Sequence, residues 1–285
     1  MTRITDGTFA GDGGVEIFWQ RAEPASGPRR GVVLIAHGYA EHLGRYKGFV
    51  EHLAARGIAT AALDHRGHGR SAGARGHTLD FSELVADLRT LADMTAEWWP
   101  ETPRLLFGHS MGGLIAFLYL LRHPDTVRAG AITGPAFRVP DQAPRSVQRI
   151  AILLGRVAPR LKLKSKLDQT ALSRDSAVGQ AYVKDPLVHR SATVGFFRAI
   201  KAAQGIARVE ASKLKVPLLI LQGDADRIVD PAGAADIAAR LSSPHQLVML
   251  PGYFHELLNE PKDERKLVLD KLDAWFERWL VAPSG

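Results

Sequence analysis

A serine flanked by two glycines stands between two apolar runs, and it constrains the fold more than any other feature of this chain. The pentapeptide Gly108-His109-Ser110-Met111-Gly112 follows the apolar stretch 105–107 and precedes the apolar run 113–118. In this pattern a strand turns so sharply into a helix that side chains two residues before and after the serine would collide. The serine itself is lifted above the sheet in a strained conformation. The pattern therefore predicts a strand, a turn and a helix, with Ser110 as a nucleophile.

A nucleophilic serine needs a histidine to take its proton and an acid to orient that histidine, and the downstream chain offers both. An apolar strand candidate, 217–221, precedes a loop with three carboxylates, and the next strand candidate, 246–250, precedes His255. Because the carboxyl ends of parallel strands meet at one edge of a sheet, we expect both loops to lie beside Ser110. His245 comes before its strand and is expected at the opposite edge. His255 is therefore the candidate base.

The acid is chosen among three aspartates of one loop. Turns favour aspartate because its side chain accepts hydrogen bonds from nearby backbone, and we expect Asp224 to cap the turn in this way. Asp230 precedes Pro231, which is typical of a residue that caps the start of a helix. Asp226 remains as the candidate acid.

Acyl transfer also needs two backbone N–H groups to hold the oxyanion, one of them from the residue after the nucleophile. Met111 supplies that group. The second is expected in the loop after an early strand, and the buried strand candidate 32–36 is followed at once by His37, Gly38 and Tyr39. The Tyr39 N–H is the candidate donor, Gly38 allows close approach of the backbone, and His37 is expected to brace the loop rather than to act as a base.

Four motifs together resemble the monoacylglycerol lipase group. They are His37-Gly38-x-x-Glu41-His42, the segment 63–71, the segment 108–113 and His255-Glu256. The resemblance implies an α/β-hydrolase fold, an α/β architecture with a mostly parallel central sheet flanked by helices and an inserted helical cap. It also implies hydrolysis of a monoacylglycerol to glycerol and fatty acid without a cofactor. Carried over by position, it assigns Ser110, Asp226 and His255 to the triad, and Tyr39 and Met111 to the oxyanion hole.

The alternation of apolar strands with helical patterns, such as 59–63 followed by 81–98, agrees with that architecture. We expect an α/β-hydrolase core over residues 1–137 and 209–285, and a cap over residues 138–208. Within the cap, the segment 181–187 resembles one in which a tyrosine faces the glycerol end of the site, so Tyr182 is a candidate substrate contact. A half-buried packing role is the alternative for Tyr182. Glu41 and Arg45 are further candidates, at positions where the group has polar residues near the mouth.

A net charge of +6, against +7 for the whole chain, lies in residues 138–170 of the predicted cap. Residues 138–170 contain two acidic residues, Asp141 and Asp168, and eight basic ones: Arg138, Arg145, Arg149, Arg156, Arg160, Lys162, Lys164 and Lys166. Apolar residues at 150–154 and 157 alternate with them, a pattern typical of a helix that lies on an anionic membrane. A solvated basic face is the alternative. Nucleic acid is not an expected partner because the segment has no aromatic residue for base stacking.

Composition excludes several other classes of site. The chain has no cysteine, so disulfides, thiolate metal sites and a cysteine nucleophile are ruled out. His65 and His68 lie in a glycine-rich loop with Asp64, but their spacing is not that of a helical zinc site, and we expect them to brace the loop. The glycine spacing of residues 67–73 is not that of a dinucleotide fingerprint. No metal or cofactor is expected.

Residues 1–14 are polar, and no stretch approaches the roughly 20 apolar residues of a membrane span. We expect a cytoplasmic protein, with peripheral membrane association through the basic cap; the sequence does not define its oligomeric state.

Three functions remain open. Monoacylglycerol hydrolysis is favoured, while a general carboxylesterase or a lysophospholipase would use the same triad. A non-catalytic binding protein on the same scaffold is the third. Epoxide hydrolases and haloalkane dehalogenases need an aspartate where this chain has Ser110.

Overall fold

The computed structural model describes residues 2–140, 145–164 and 167–281. These residues form ten strands: β1 (Thr2–Ala10), β2 (Glu16–Pro24), β3 (Gly31–Ala36), β4 (Ile58–Leu63), β5 (Arg104–His109), β6 (Ala129–Thr133), β7 (Lys162–Lys164), β8 (Ser191–Thr193), β9 (Leu218–Gly223) and β10 (His245–Leu250). They also form eight α-helices: α1 (Lys47–Ala54), α2 (Phe81–Trp98), α3 (Met111–Arg122), α4 (Arg145–Val157), α5 (Ser176–Lys184), α6 (Val194–Glu210), α7 (Pro231–Ala238) and α8 (Lys262–Leu280).

Eight of the strands form one sheet in the order β1-β2-β4-β3-β5-β6-β9-β10. The strands from β4 to β10 in this order pair in parallel, which confirms the predicted mostly parallel sheet. The β1–β2 hairpin is antiparallel and joins the sheet through β2 and β4. This hairpin was not predicted from the sequence, because β1 is an edge strand without a buried position and its residues lack the apolar pattern of a buried strand.

Helices cover both faces of the sheet, and the central strands are buried on both sides. Every residue of β3 is buried. Val32 and Leu34 pack into a layer with α2, α3 and α6, whereas Val33 and Ile35 pack into the opposite layer with α1 and α8. A strand enclosed in this way is apolar at consecutive positions, which is why its apolar run predicts it so clearly.

The segment between β6 and β9 contains α4, α5, α6 and the small antiparallel pair β7–β8. Helix α6 crosses residue 208, and Ala203 and Ala207 belong to the same buried cluster as α3. The division into core and cap at residues 138 and 208 stays a prediction. Asp141 and Lys166, two of the charged residues counted in the predicted cap, lie outside the described residues. Of the helices that the described residues form, none has the length and apolar content to cross a bilayer.

Candidate active site

The turn between β5 and α3 has the geometry that the glycine pattern predicts. Ser110 has φ 54° and ψ −118°, in a region that residues other than glycine rarely adopt. A Cβ on Gly108 would collide with the carbonyl oxygen of Gly112, and one on Gly112 would collide with the carbonyls of Ala36 and His37. The backbone of Ser110 is held on both sides, because its N–H donates to the Thr133 carbonyl at 2.9 Å and its own carbonyl accepts from Ala136 at 3.0 Å.

The three candidate triad side chains form one chain of hydrogen bonds. Ser110 Oγ lies 2.9 Å from His255 Nε2, and His255 Nδ1 lies 2.7 Å from Asp226 Oδ2. An ionised carboxylate only accepts hydrogen bonds, so Nδ1 carries the imidazole proton and Nε2 is left to accept from the serine hydroxyl. This is the arrangement in which a histidine can remove the proton of a serine.

Electrostatics favour a charged imidazole opposite Asp226. Burial lowers the pKa of His255, but the neighbouring Asp226 carboxylate more than compensates, and the pKa lies above its ordinary value of 6.5. For Asp226, burial alone would raise the pKa of the carboxyl group. The His255 charge and the backbone N–H groups of Val229 and Ile228 outweigh that effect and lower the pKa. The site thus stabilises the ion pair that forms once the histidine has taken a proton.

The three aspartates of the loop after β9 have separate surroundings. Asp226 Oδ1 accepts from the N–H groups of Ile228 at 2.8 Å and Val229 at 3.0 Å, so this side chain is held from both ends. Asp230 caps α7 by accepting from Ala232 N–H, as predicted. Asp224 accepts from Gly252 N–H in the loop after β10. The expectation that it caps its own turn was therefore wrong: it joins two neighbouring loops.

The two predicted oxyanion donors lie beside Ser110. Tyr39 and Met111 line the same cavity as the serine, and Met111 is the first residue of α3, where backbone N–H groups point out of the helix. Gly38 allows this approach, since a Cβ there would lie 3.3 Å from the Ser110 Cβ and 2.7 Å from Glu41 Oε1.

His37 braces the loop, as expected. Its Nε2 accepts from the His65 N–H at 2.9 Å, so its Nδ1 carries the proton and donates to the Gly38 carbonyl at 2.7 Å. Asp64 has a related role, because its two carboxylate oxygens accept from the N–H groups of Leu43 and Arg70.

A buried ion-pair cluster lies next to the triad and consists of Glu41, Arg45 and Glu256. Arg45 donates to Glu41 at 2.7 Å and to both carboxylate oxygens of Glu256 at 2.6 and 2.8 Å. Burial opposes ionisation of Glu41, yet the Arg45 charge lowers the pKa of that carboxyl group to about 2. The guanidinium of Arg45 also lies 4.9 Å from the ring centre of Tyr182. The three candidate substrate contacts lie together and line the Ser110 cavity; Glu41 and Tyr182 are buried, and the Arg45 side chain is 11% exposed.

Two residues of this region were not identified as site residues from the sequence. Glu256 was noted only as the neighbour of His255, and its partner Arg45 is 211 residues away. His109 lies inside the serine motif; its Nδ1 contacts the Thr133 carbonyl at 3.1 Å and its ring centre is 4.8 Å from that of His255. Burial, with a smaller contribution from the His255 charge, lowers the pKa of His109 to about 4. Its position within the motif was the only available signal.

The cavity at Ser110 has a volume of about 150 Å³, and its lining contains both apolar and polar side chains. The apolar part includes Met111, Val139, Leu172, Phe196, Ile200 and Val229. The polar part includes Tyr182 and the ion-pair cluster. Such a cavity matches an elongated ligand with an apolar chain and a polar end.

Comparison with known proteins places the chain in a family. A model of the serine aminopeptidase S33 family matches residues 27–262. A monoacylglycerol lipase of Mycolicibacterium smegmatis is 42% identical over 271 residues, which cover 94% of this chain and 95% of that protein. The monoglyceride lipase of Homo sapiens is 32% identical over 269 residues, covering 93% and 88% of the two chains.

Among solved structures, the monoacylglycerol lipase of Paleococcus ferrophilus has a TM-score of 0.80 and 30% identity, with 96% of this chain and 98% of that chain covered. The chain therefore belongs to the serine aminopeptidase S33 family of α/β-hydrolases and, within it, to the monoacylglycerol lipase group.

Proposed function

We propose that this protein hydrolyses the ester of monoacylglycerols, with Ser110 as nucleophile, His255 as general base and Asp226 as the acid that orients the histidine. The observation that carries the proposal is the unbroken hydrogen-bond chain Ser110–His255–Asp226 at a cavity lined by both apolar and polar side chains. A monoacylglycerol has an acyl chain for the apolar lining and a diol for the polar lining.

The proposed reaction has two steps. His255 Nε2 takes the Ser110 proton as Oγ attacks the ester carbonyl, while the N–H groups of Tyr39 and Met111 hold the oxyanion. The protonated histidine then gives its proton to the departing glycerol oxygen, and an acyl ester remains on Ser110. Water repeats the sequence on this ester, and the fatty acid leaves.

The polar side of the cavity favours an uncharged headgroup over a peptide amino terminus. A site that recognises an ammonium group needs carboxylate oxygens that are free to accept hydrogen bonds from it. The Glu41 oxygens already accept from Gly38 N–H, the Tyr46 hydroxyl and Arg45, and the Glu256 oxygens accept from Arg45 and Asn259. Tyr182, Glu41 and Arg45 are the groups we expect beside the glycerol hydroxyls, and Tyr182 is the uncharged one of the three. Ester cleavage is therefore favoured over aminopeptidase activity for this chain.

The test compares fatty-acid release from matched monoacyl-, diacyl- and triacylglycerols, a lysophospholipid and a soluble butyrate ester. Wild type should prefer the monoacylglycerol, and Ser110→Ala should lose activity by more than about a thousand-fold. Turnover of the butyrate ester alone would favour a carboxylesterase, and preference for the lysophospholipid would favour a lysophospholipase. If no ester is turned over, the binding-protein alternative replaces the proposal.

We also propose that helix α4 docks the protein on an anionic lipid surface. Ile150, Leu153 and Val157 recur at helical spacing and are 58%, 60% and 77% exposed, although apolar side chains of this size are normally buried. Arg156 and Arg160 are exposed beside them. An apolar stripe bordered by basic side chains suits the boundary between acyl chains and anionic headgroups.

Vesicle sedimentation at low salt tests the docking. Wild type should bind vesicles rich in anionic lipid more than neutral ones, and serine substitution of Ile150, Leu153 and Val157 together should abolish the difference. Val209→Ser is the matched control, because Val209 is 78% exposed on α6. Equal binding to both vesicle types, or loss of binding in the control as well, would overturn the docking proposal. Self-association that the triple substitution removes, without any vesicle binding, would assign this face to a second copy of the chain.

A further inference from the structure

A glutamine lies in the buried sheet next to the candidate acid. Gln222 is the penultimate residue of β9 and is fully buried. The residues before it in the strand are leucine and isoleucine. Moving an amide from water into such surroundings costs free energy unless it is hydrogen-bonded, so its contacts show what role it has.

Both contacts of the amide nitrogen are with acceptors. Gln222 Nε2 donates to Asp226 Oδ2 at 3.1 Å and to the Gly223 carbonyl at 3.0 Å. The reverse orientation of the amide would place its oxygen against the same two acceptors, so the orientation is determined. In the adopted orientation the buried Oε1 has no hydrogen-bond partner among the described residues. The side chain thus keeps its donor on Asp226 while its acceptor stays unsatisfied, which is costly.

The oxygen that Gln222 contacts is the one that faces the histidine. Asp226 Oδ2 accepts from His255 Nδ1 at 2.7 Å and from Gln222, whereas Oδ1 accepts from two backbone N–H groups. We propose that Gln222 is a positioning residue that fixes Oδ2 toward His255 and shares the negative charge of that oxygen. The inference rests on the proposed triad, and it adds to it a residue that touches neither the serine nor the substrate cavity.

Because Asp226 Oδ2 accepts from both Gln222 and His255, Gln222 should affect the pKa of His255, which a purely packing role would not. Because Gln222 and His255 donate to the same oxygen, each donor withdraws charge that the other would use. Without the glutamine, Oδ2 attracts the imidazolium more strongly, and His255 gives up its proton less readily. Removing the amide should therefore raise the pKa of His255, in addition to loosening the carboxylate.

Titration of His255 by nuclear magnetic resonance, with isotope-labelled histidine, measures this effect directly. The His255 signal is identified by its loss in His255→Gln. In Gln222→Leu we expect the pKa of His255 to rise by about 0.5 to 1 unit, and kcat to fall several-fold. The titration needs no turnover, so it tests the role of Gln222 even if the proposed substrate is wrong, and the ester assays test the substrate separately.

Gln222→Glu separates hydrogen bonding from packing. A carboxyl group buried against Asp226 keeps its proton at neutral pH because two adjacent carboxylates repel, and it can then donate to Oδ2 as the amide does. We expect the pKa of His255 to return to the wild-type value, and a new loss of activity at alkaline pH as the introduced group ionises. Gln246→Leu, an exposed glutamine on β10, is the control and should titrate as wild type. An unchanged or lowered pKa of His255 in folded Gln222→Leu, or no difference between the Leu and Glu variants, would overturn the proposal.

Discussion

At the scale of single residues, the chemistry of the site depends on which atoms carry protons. The Asp226 carboxylate requires the proton of His255 to be on Nδ1, and this leaves Nε2 as the acceptor for Ser110. The same carboxylate is the reason that the pKa of His255 exceeds 6.5 in spite of burial. The Asp226 carboxylate therefore determines both the orientation of His255 and its proton affinity, and a substitution of Asp226 should change both.

The pH dependence of kcat/KM tests this link. The base must be neutral to accept a proton, so activity should rise with pH through a midpoint above 6.5. Asp226→Asn removes the charge that raises the pKa of His255 and also favours the wrong tautomer. We expect the midpoint to move to lower pH than in wild type and kcat to fall about ten-thousand-fold. Asp224→Asn, at an exposed aspartate of the same loop, should keep the wild-type profile; an unshifted midpoint in Asp226→Asn would contradict the assignment.

At the scale of elements, the junction of β5 and α3 determines where the nucleophile lies. The first turn of α3 packs against the carboxyl end of β3 so closely that Gly112 touches the carbonyls of Ala36 and His37. Ala36 ends β3, and His37 begins the loop that carries Tyr39. The glycine thus brings the nucleophile and the candidate oxyanion donor together, and any side chain at this position would separate them.

A pair of glycine-to-alanine substitutions tests this contact. Gly112→Ala should lower the free energy of unfolding by about 2 kcal/mol or more, because backbone rather than a flexible side chain must move, and it should abolish turnover. Gly205 lies within helix α6, and a Cβ there would meet nothing within 4 Å. Gly205→Ala should instead raise the free energy of unfolding by about 0.5 to 1 kcal/mol and preserve activity. Urea unfolding and ester assays measure both; a stable, active Gly112→Ala would refute the steric argument.

At the scale of the whole molecule, the segment before α5 is joined to the loop that carries the candidate base. Glu256 N–H donates to the Leu172 carbonyl at 2.7 Å. The buried Glu260 accepts from Phe254 N–H at 2.6 Å and from Arg174 Nε at 3.0 Å. Displacement of the 172–174 segment would therefore be transmitted to the residues on either side of His255.

Arg174→Ala tests this junction. It leaves the Glu260 carboxylate buried without its guanidinium partner, so we expect the free energy of unfolding to fall by about 2 kcal/mol and kcat to fall several-fold as the His255 loop loosens. The control is Arg208→Ala, since Arg208 is 58% exposed and pairs with the partly exposed Asp236; surface pairs of this kind contribute about 0 to 1 kcal/mol. Equal effects of the two substitutions would show that the junction has no special role.

The parts of the molecule that the sequence predicts are those with local signals. The buried strands appear as apolar runs, the turn at Ser110 as two glycines, and the start of α7 as Asp230 before Pro231. The β1–β2 hairpin has no such signal because the edge strand is largely exposed. The pairing of Arg45 with Glu256 and the contact of Gln222 with Asp226 depend on how the loops fold over the sheet. The spacing of Arg45 and Glu256 along the chain does not predict that they pair. A glutamine in a strand likewise does not identify the partner of its amide.

The ion-pair cluster beside Ser110 has a consequence for substrate binding and product release. Arg45 is shared by Glu41 and Glu256, so the cluster has an excess of negative charge. An ester enters such a cavity uncharged, but the fatty acid it releases is an anion at neutral pH and is repelled by the same wall. We expect a free fatty acid to inhibit turnover less than an uncharged fatty alcohol of equal length, and stronger inhibition by the acid would contradict this. Hydrolysis would then convert a ligand that the site accepts into one that it expels.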